Sequence, residues 1–574
     1  MKILLLDSWD TLPVLCSQSW DIVVDCARSP ASTYEEWARR TGARCFSVFD
    51  LAHGFEDLRA SRNLLFKGLN VVVDDDGIDW WEILFFLIEA DLRQLLLARR
   101  LSELLPKGYE IHASRMNLLA SALSQIAGRP VRVMQSARPV WHTLSRYKRA
   151  LQTLERDQFA QAVKDKFDPK HSIRRRFARK PHRLTDSAIL LPSAYINVSR
   201  AAVVHAASIP KQRFLLAFAR ENARLADLPA NVSQLCLNSY FQASNEAEAR
   251  HIESLYDQLT YRLANTIPEF KMAFSAGLFD RMRGLTRWGL AIRDSWKNLF
   301  DSQPISGVLC ADDSNPYSRL PLILAGKRGL ATVACHHGAL DFRMAIKQVH
   351  SDCYLAMTEM EYDYLVRKCG VEQEKVFLNR SISASLHTSE TPVGKRDKII
   401  FFSEPFAATG GREAEVLRDL LPRLTSLSRA LRLQLVLKLH PFESARAYRR
   451  LLQALLPAPD SVQILSERMS SNLWESTHFA ITVQSSVALE SASRDIPVFL
   501  CGWLADPYSE YAAQFAKHGA GHLLESPDEL AKIPLLLRNS RRGARVDAPR
   551  LDGSLLEQLF SRQAIRAESL TASA

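Results

Sequence analysis

The run Leu433-Gln434-Leu435-Val436-Leu437-Lys438-Leu439-His440-Pro441 places leucine at every second position and then stops at a His-Pro step. Alternation with a period of two marks a strand with one face in a core. His440, out of phase with the leucines, projects from the other side at the strand's carboxyl end. A second apolar strand, 479–483, runs into Gln484-Ser485-Ser486 and then a helical Val487-Ala488-Leu489-Glu490. Ser485 suits the cap of that helix, whose first N–H groups would suit an anion. Ser486 and Glu490, four residues apart, share one helical face. In open parallel sheets, ligands bind outside the carboxyl ends of the strands, so both stretches end where a ligand would sit.

Outward from these, strands at 398–403, 434–439, 462–465, 479–483 and 498–501 alternate with helical stretches. The same alternation runs upstream. Strands are expected at 2–6, 21–24 and 44–49, and at 70–73, where an apolar run stops at Asp74-Asp75-Asp76-Gly77. A helical section follows over 80–105, then a strand at 110–113 and a helix at 117–127. Further strands fall at 188–191, 214–219, 307–311, 331–335 and 353–358, with a helical region over 247–300. Strands alternating with helices imply parallel βαβ units and an α/β fold. The polar stretch 391–398, with Pro392 and Gly394, marks the main linker. The expected organisation is an N-terminal domain over 1–390, with insertions at about 137–185 and 245–300, and a C-terminal domain over 396–545. In the tail, 546–574, residues 555–560 suit a helix crossing back onto the N-terminal domain.

With 574 residues, 47% hydrophobic and 24% charged, the chain has an ordinary globular balance. Disorder, collagen and small disulfide scaffolds are excluded. The most apolar stretch, 83–98, is broken by Glu89, Asp91 and Arg93, so no clean span of about 20 apolar residues exists. The N-terminal apolar run is too short for a signal peptide, and a cytoplasmic protein is expected. Nine scattered cysteines without a Cys-x-x-Cys pair read as reduced core thiols, with no zinc spacing. The net charge is +11, and residues 164–183 carry nine Lys/Arg against two Asp, including Arg174-Arg175-Arg176. That segment is either a solvated face or a contact for something anionic, best the inner face of a membrane. Nucleic acid is disfavoured, because no recognised binding motif accompanies the charge.

No P-loop, no Gly-x-Gly-x-x-Gly after the first strand and no Gly-x-Ser-x-Gly elbow is present. The His-Pro step followed by Ser-Ser resembles the motif pair of bacterial sialyltransferases, polysialyltransferases and capsule Kdo transferases. It is also similar to the C-terminal half of CDP-glycerol glycerophosphotransferases. Asp75-Asp76-Gly77 resembles the acidic-Gly motif of the sialyltransferases, and 331–338, ending in His336-His337-Gly338, resembles the strand and His-Gly end of the glycerophosphotransferase and capsule enzymes. The resemblance spans roughly 305–505 plus the acidic motif. It implies a GT-B-like glycosyltransferase, with two Rossmann-like domains facing across a cleft and a helical and basic insertion in the N-terminal half. The implied donor is a CMP-linked nonulosonic acid such as sialic acid or Kdo, and the acceptor a surface glycan or glycolipid. His440, Pro441, Ser485, Ser486 and Glu490 would hold the donor nucleotide, and Asp75 or Asp76 would act as general base. No cofactor beyond the donor is required and no metal need be invoked, although the run Asp74–Asp76 leaves a metal-dependent variant open. One alternative is a glycerophosphotransferase with a CDP-linked donor and His337 as base; another is a catalytically inactive scaffold of the same fold. Taken alone, each motif also has a structural reading: a hydrogen-bonded strand-end histidine, a helix cap, an Asp-Gly turn.

Overall fold

The computed structural model describes residues 1–6, 19–26, 41–105, 108–113, 116–134, 183–219, 224–242, 244–336, 340, 342–356, 358–378, 396–404, 413–440, 443, 445–456, 461–467, 469–492, 494–506, 508–539, 557–558 and 560. Three parallel sheets organise them. The first comprises β1 (Lys2–Leu6), β2 (Ile22–Asp25), β3 (Arg44–Ser47), β4 (Glu110–Ala113) and β5 (Arg132–Val133), in the order β3-β2-β1-β4-β5. The second comprises β6 (Ala188–Ser193), β7 (Phe214–Phe218), β8 (Val232–Cys236), β9 (Ile305–Cys310), β10 (Ala331–Ala334), β11 (Cys353–Ala356) and β12 (Val376–Leu378), in the order β12-β11-β10-β9-β6-β7-β8. The third comprises β13 (Lys398–Phe402), β14 (Gln434–Lys438), β15 (Val462–Leu465), β16 (Thr477–Thr482), β17 (Val498–Cys501) and β18 (His522–Leu524), in the order β15-β14-β13-β16-β17-β18.

Each sheet winds outward from a central strand, returns, and winds the other way. The point where the order reverses falls between β1 and β4, β6 and β9, and β13 and β16 respectively. That is the doubly wound, Rossmann-like pattern, whose ligand crevice opens at the reversal. Central strands are buried on both faces, as β13 is from Ile399 to Phe402, because helices cover both sides. In the third sheet, Leu417, Leu421 and Leu424 of the helix Glu413–Leu431 pack with Leu435 and Leu437 of β14. Tyr448 and Leu452 of the helix Ala445–Leu455 join the same core.

The chain forms two compact units. One gathers Met1–Asp57, Arg93–Arg146 and His387–Val546 and carries the first and third sheets; the other gathers Leu58–Leu92, Tyr147–Leu386 and Asp547–Ala574 and carries the second.

Several expectations need correction. Residues 1–390 hold two sheets where the sequence reading places one domain. Among the described residues the first sheet ends at β5, two residues long and exposed, and β6 opens a separate set of paired strands. The helical region near 245–300 is a connection, not an appendage. Its helices, from Glu246–Thr266 to Thr286–Ser302, carry the chain from edge strand β8 back to β9 at the centre. Residues 70–73 are turn rather than strand: Asn70 has φ +62°, and Val73 makes only an isolated antiparallel bridge to Asp79. The linker centred on Pro392 and nearly all of the basic segment 164–183 lie outside the described residues. In the tail, Phe560 is buried in the core of the second sheet, where its ring leaves no room for a Cβ on Gly307. Among the described residues no helix is long and apolar enough to cross a membrane.

Candidate functional site

β14 ends in Lys438-Leu439-His440, with Leu439 buried and His440 on the other side, as the alternation requires. The His440 N–H donates to Glu443 Oε2 at 2.8 Å, and the Glu443 N–H returns to the His440 carbonyl at 2.9 Å. The other Glu443 oxygen, Oε1, accepts from Ser403 Oγ at 2.9 Å and from Tyr448 Oη at 2.6 Å. His440 is thereby held at the carboxyl edge by a carboxylate that also ties β13 to the following helix. Burial, and then the Lys438 charge, push the His440 pKa down to about 4, so its imidazole is neutral at pH 7. Burial also lowers the pKa of Lys438, whose Nζ donates to the Leu439 carbonyl at 2.7 Å. Pro441 lies outside the described residues.

On the other side of β13, β16 leads into Gln484-Ser485-Ser486. Ser485 Oγ accepts from the Val487 N–H at 3.4 Å, the capping role its position suggests. The helix it opens, Val487–Ala492, is only six residues long. So short a helix builds little macrodipole, and the expectation that its N-terminus alone would hold an anion is revised. Ser486 is half-buried. Glu490 faces its own Arg494 at 3.3 Å; burial raises its pKa and Arg494 opposes the rise. The Arg494 guanidinium also lies 4.8 Å from the Trp474 ring centroid.

The acidic run belongs to the other unit, where it forms a tight turn. The Gly77 N–H donates to the Asp74 carbonyl at 2.8 Å, and Gly77 adopts φ +71°, which suits glycine. Asp74 is structural, accepting from the Ile78 N–H, the Trp80 indole and Arg293 at 2.7–2.8 Å. Asp76 pairs with Lys297 at 2.8 Å and Arg293 at 3.4 Å. Asp75 is the exposed carboxylate of the three. His337 lies outside the described residues; its neighbour His336 is buried and stacked on Tyr354. Among the described residues no group of three or more His, Cys, Asp or Glu is placed to hold a metal ion.

Three features escaped the sequence reading. Glu404, just beyond β13, accepts from the Gln484 N–H at 2.7 Å and from Thr482 Oγ1 at 3.2 Å. Burial raises its pKa, and the amides of Gln484, Val483 and Ser485 temper the rise. Glu443 was also missed, although its spacing of three residues from His440 was a usable signal. In the second unit, beneath the end of β9, Arg319 is buried between Glu82 and Asp313. Asp313 also accepts from Lys347 and from Tyr354 Oη. Burial opposes the charge on Asp313, but Lys347, Arg319 and His336 outweigh it and hold the carboxyl below its usual range.

No protein-family model matches the sequence, and no curated protein matches it. Solved structures with a similar arrangement include the UDP-GlcNAc 2-epimerase from Methanocaldococcus jannaschii, at TM-score 0.40 and 13% identity over 66% of this chain and 99% of that one. The calicheamicin glycosyltransferase CalG4 is similar at TM-score 0.35 and 11% identity, over 68% of this chain and 98% of its own. The wall teichoic acid polymerase TagF is similar at TM-score 0.36 and 11% identity, over 75% of this chain and 99% of its own. At these scores the likenesses assign no chemistry to this chain.

Proposed function

We propose that the chain is a glycosyltransferase that takes a nucleotide-linked sugar at the carboxyl edge of the third sheet. One observation carries the reading: His440 behind β14 and Ser485-Ser486 behind β16 stand on opposite sides of β13, at the reversal point of a doubly wound sheet. A neutral His440 suits this role. An approaching phosphate would draw its pKa upward, so the imidazole can gain a proton as negative charge builds on the departing nucleotide. The donor we favour is CMP-linked, with a nonulosonic acid as the sugar and a glycan or glycolipid as acceptor. For the general base we favour Asp75 over Asp76, because the Asp76 carboxylate already serves Lys297 and Arg293.

Calorimetry with CMP, CDP, UDP and GDP tests the reading, together with release of free CMP from candidate donors. His440→Ala should weaken cytidine nucleotide binding by about 2–10-fold, the equivalent of one hydrogen bond worth about 0.5–1.5 kcal/mol. Asp75→Asn should leave that binding intact while lowering transfer by about 10²–10⁴-fold. Absence of nucleotide binding, or binding unaltered in His440→Ala, rejects the proposal.

A further inference from the structure

We propose that Tyr508, clamped under Arg93, is a positioning residue through which a helix of the first sheet fixes the donor-site turn of the third. This rests on the donor-site reading above and adds the residue that holds its shape. Residues 502–510 lead from β17 to the helix Tyr511–Lys517. Within them the Asp506 N–H and Ser509 Oγ both donate to Gln484 Oε1, each at 3.0 Å. Gln484 immediately precedes Ser485-Ser486, so this segment grips the turn where the donor is read. The segment is itself constrained. Glu510 adopts φ +49°, a left-handed conformation that a residue with a Cβ keeps only where its surroundings impose it.

What imposes it comes from the helix Glu89–Leu104, which leads into β4 of the first sheet. The Arg93 guanidinium lies 4.2 Å from the Tyr508 ring centroid, and both residues are buried. With water excluded, a cation over an aromatic face is a strong contact. Arg100, two turns further along the same helix face, is fixed in turn by Asp57 and by the Leu51 carbonyl at 2.9 Å. Among the described residues the buried Tyr508 hydroxyl has no hydrogen-bond partner. The ring against the cation, not the hydroxyl, therefore holds the segment. The Tyr508 N–H donates to Asp506 Oδ1 at 2.8 Å, so a shift of Tyr508 moves Asp506 and Ser509 on either side of it. The Gln484 side chain, bound to both, moves with them. That link to Gln484 is what separates the clamp from ordinary packing.

Tyr508→Leu removes the ring, Arg93→Met removes the cation, and Tyr508→Phe is the conservative variant that keeps the contact. CMP is titrated calorimetrically into the full chain, with thermal unfolding recorded alongside. Tyr508→Leu and Arg93→Met should each bind CMP at least fivefold more weakly. The double variant should match the weaker single within twofold, because both changes break one contact. Tyr508→Phe should stay within twofold of the parent. A lower melting temperature with unchanged CMP affinity in both single variants would make the contact structural only and overturn the proposal. A loss in Tyr508→Phe equal to that in Tyr508→Leu would overturn it too. If neither single variant folds, Ser509→Ala breaks the bond to Gln484 directly and should cost the same fivefold; unchanged CMP binding then overturns the proposal. A parent that binds no CMP rejects the donor-site reading instead, and amide exchange in the peptide 505–511 decides the clamp. There the N–H groups of Asp506, Tyr508 and Ser509 are all hydrogen-bonded. Their exchange should quicken at least tenfold in Tyr508→Leu and not in Tyr508→Phe, and equal exchange in all three proteins overturns the proposal.

Discussion

Replacing Arg319 by Met removes a positive charge from between two buried carboxylates while keeping a long unbranched side chain. Arg319 is 1% exposed, Glu82 2% and Asp313 0%, so none of the three is rescued by water when a partner goes. Breaking one partner out of a buried ion pair costs about 3–5 kcal/mol, because the remaining charge stays desolvated. The acid limb gives an independent scale. Burial raises the Glu82 pKa, but Arg319 and His350 overcome it and bring the carboxyl down to about 2, against about 4.3 in an unfolded chain. A carboxyl depressed on folding contributes stability above its unfolded pKa and loses it as pH falls toward the folded one. For Glu82 the contribution is about 3 kcal/mol, lost between about pH 4 and pH 2. In Arg319→Met the Glu82 pKa should rise, and the acid transition should move to higher pH. Thermal and acid unfolding followed by tryptophan fluorescence would read both effects; Trp80 and Trp81 sit beside Glu82 in one short helix. A variant with the parent's acid midpoint and a stability within about 1 kcal/mol of it would refute the assignment of this network as a structural strut.

Two further changes probe the second unit. His205 is fully buried, and burial pushes its pKa down to about 4, so its neutral form contributes stability above about pH 6.5 that disappears as pH falls toward 4. His205→Gln should flatten unfolding midpoints over that window relative to the parent, and an unchanged pH slope would contradict the buried-neutral assignment. Phe560→Ala empties a site over Gly307 that a core ring fills, at a cost of about 3–5 kcal/mol. Thermal unfolding should read that loss, and a stability within about 1 kcal/mol of the parent's would show that the Phe560 ring does not fill the site.

Local pattern made a good part of this molecule legible. The alternating leucines of 433–439 placed β14 and set His440 at its carboxyl end, and the Ser485 cap followed from the strand-to-helix transition. Both depend on neighbours a few residues away, which periodicity encodes. The short apolar run at 70–73 was misread because such a run does not distinguish a strand from a buried turn; Asp79, whose carboxylate accepts from the Asn70 and Trp81 N–H groups, helps hold the turn. The division of residues 1–390 into two sheets could not be read, since strand pairing joins Lys2 to Glu110 and Ala188 to Ile305 with no local mark of the partner. The same holds for the charges that shape the sites. Glu404 meets Gln484 across 80 positions, and Arg319 meets Glu82 across 237. A carboxylate looks the same in sequence whether water or a backbone amide will solvate it, and only the tertiary fold decides which.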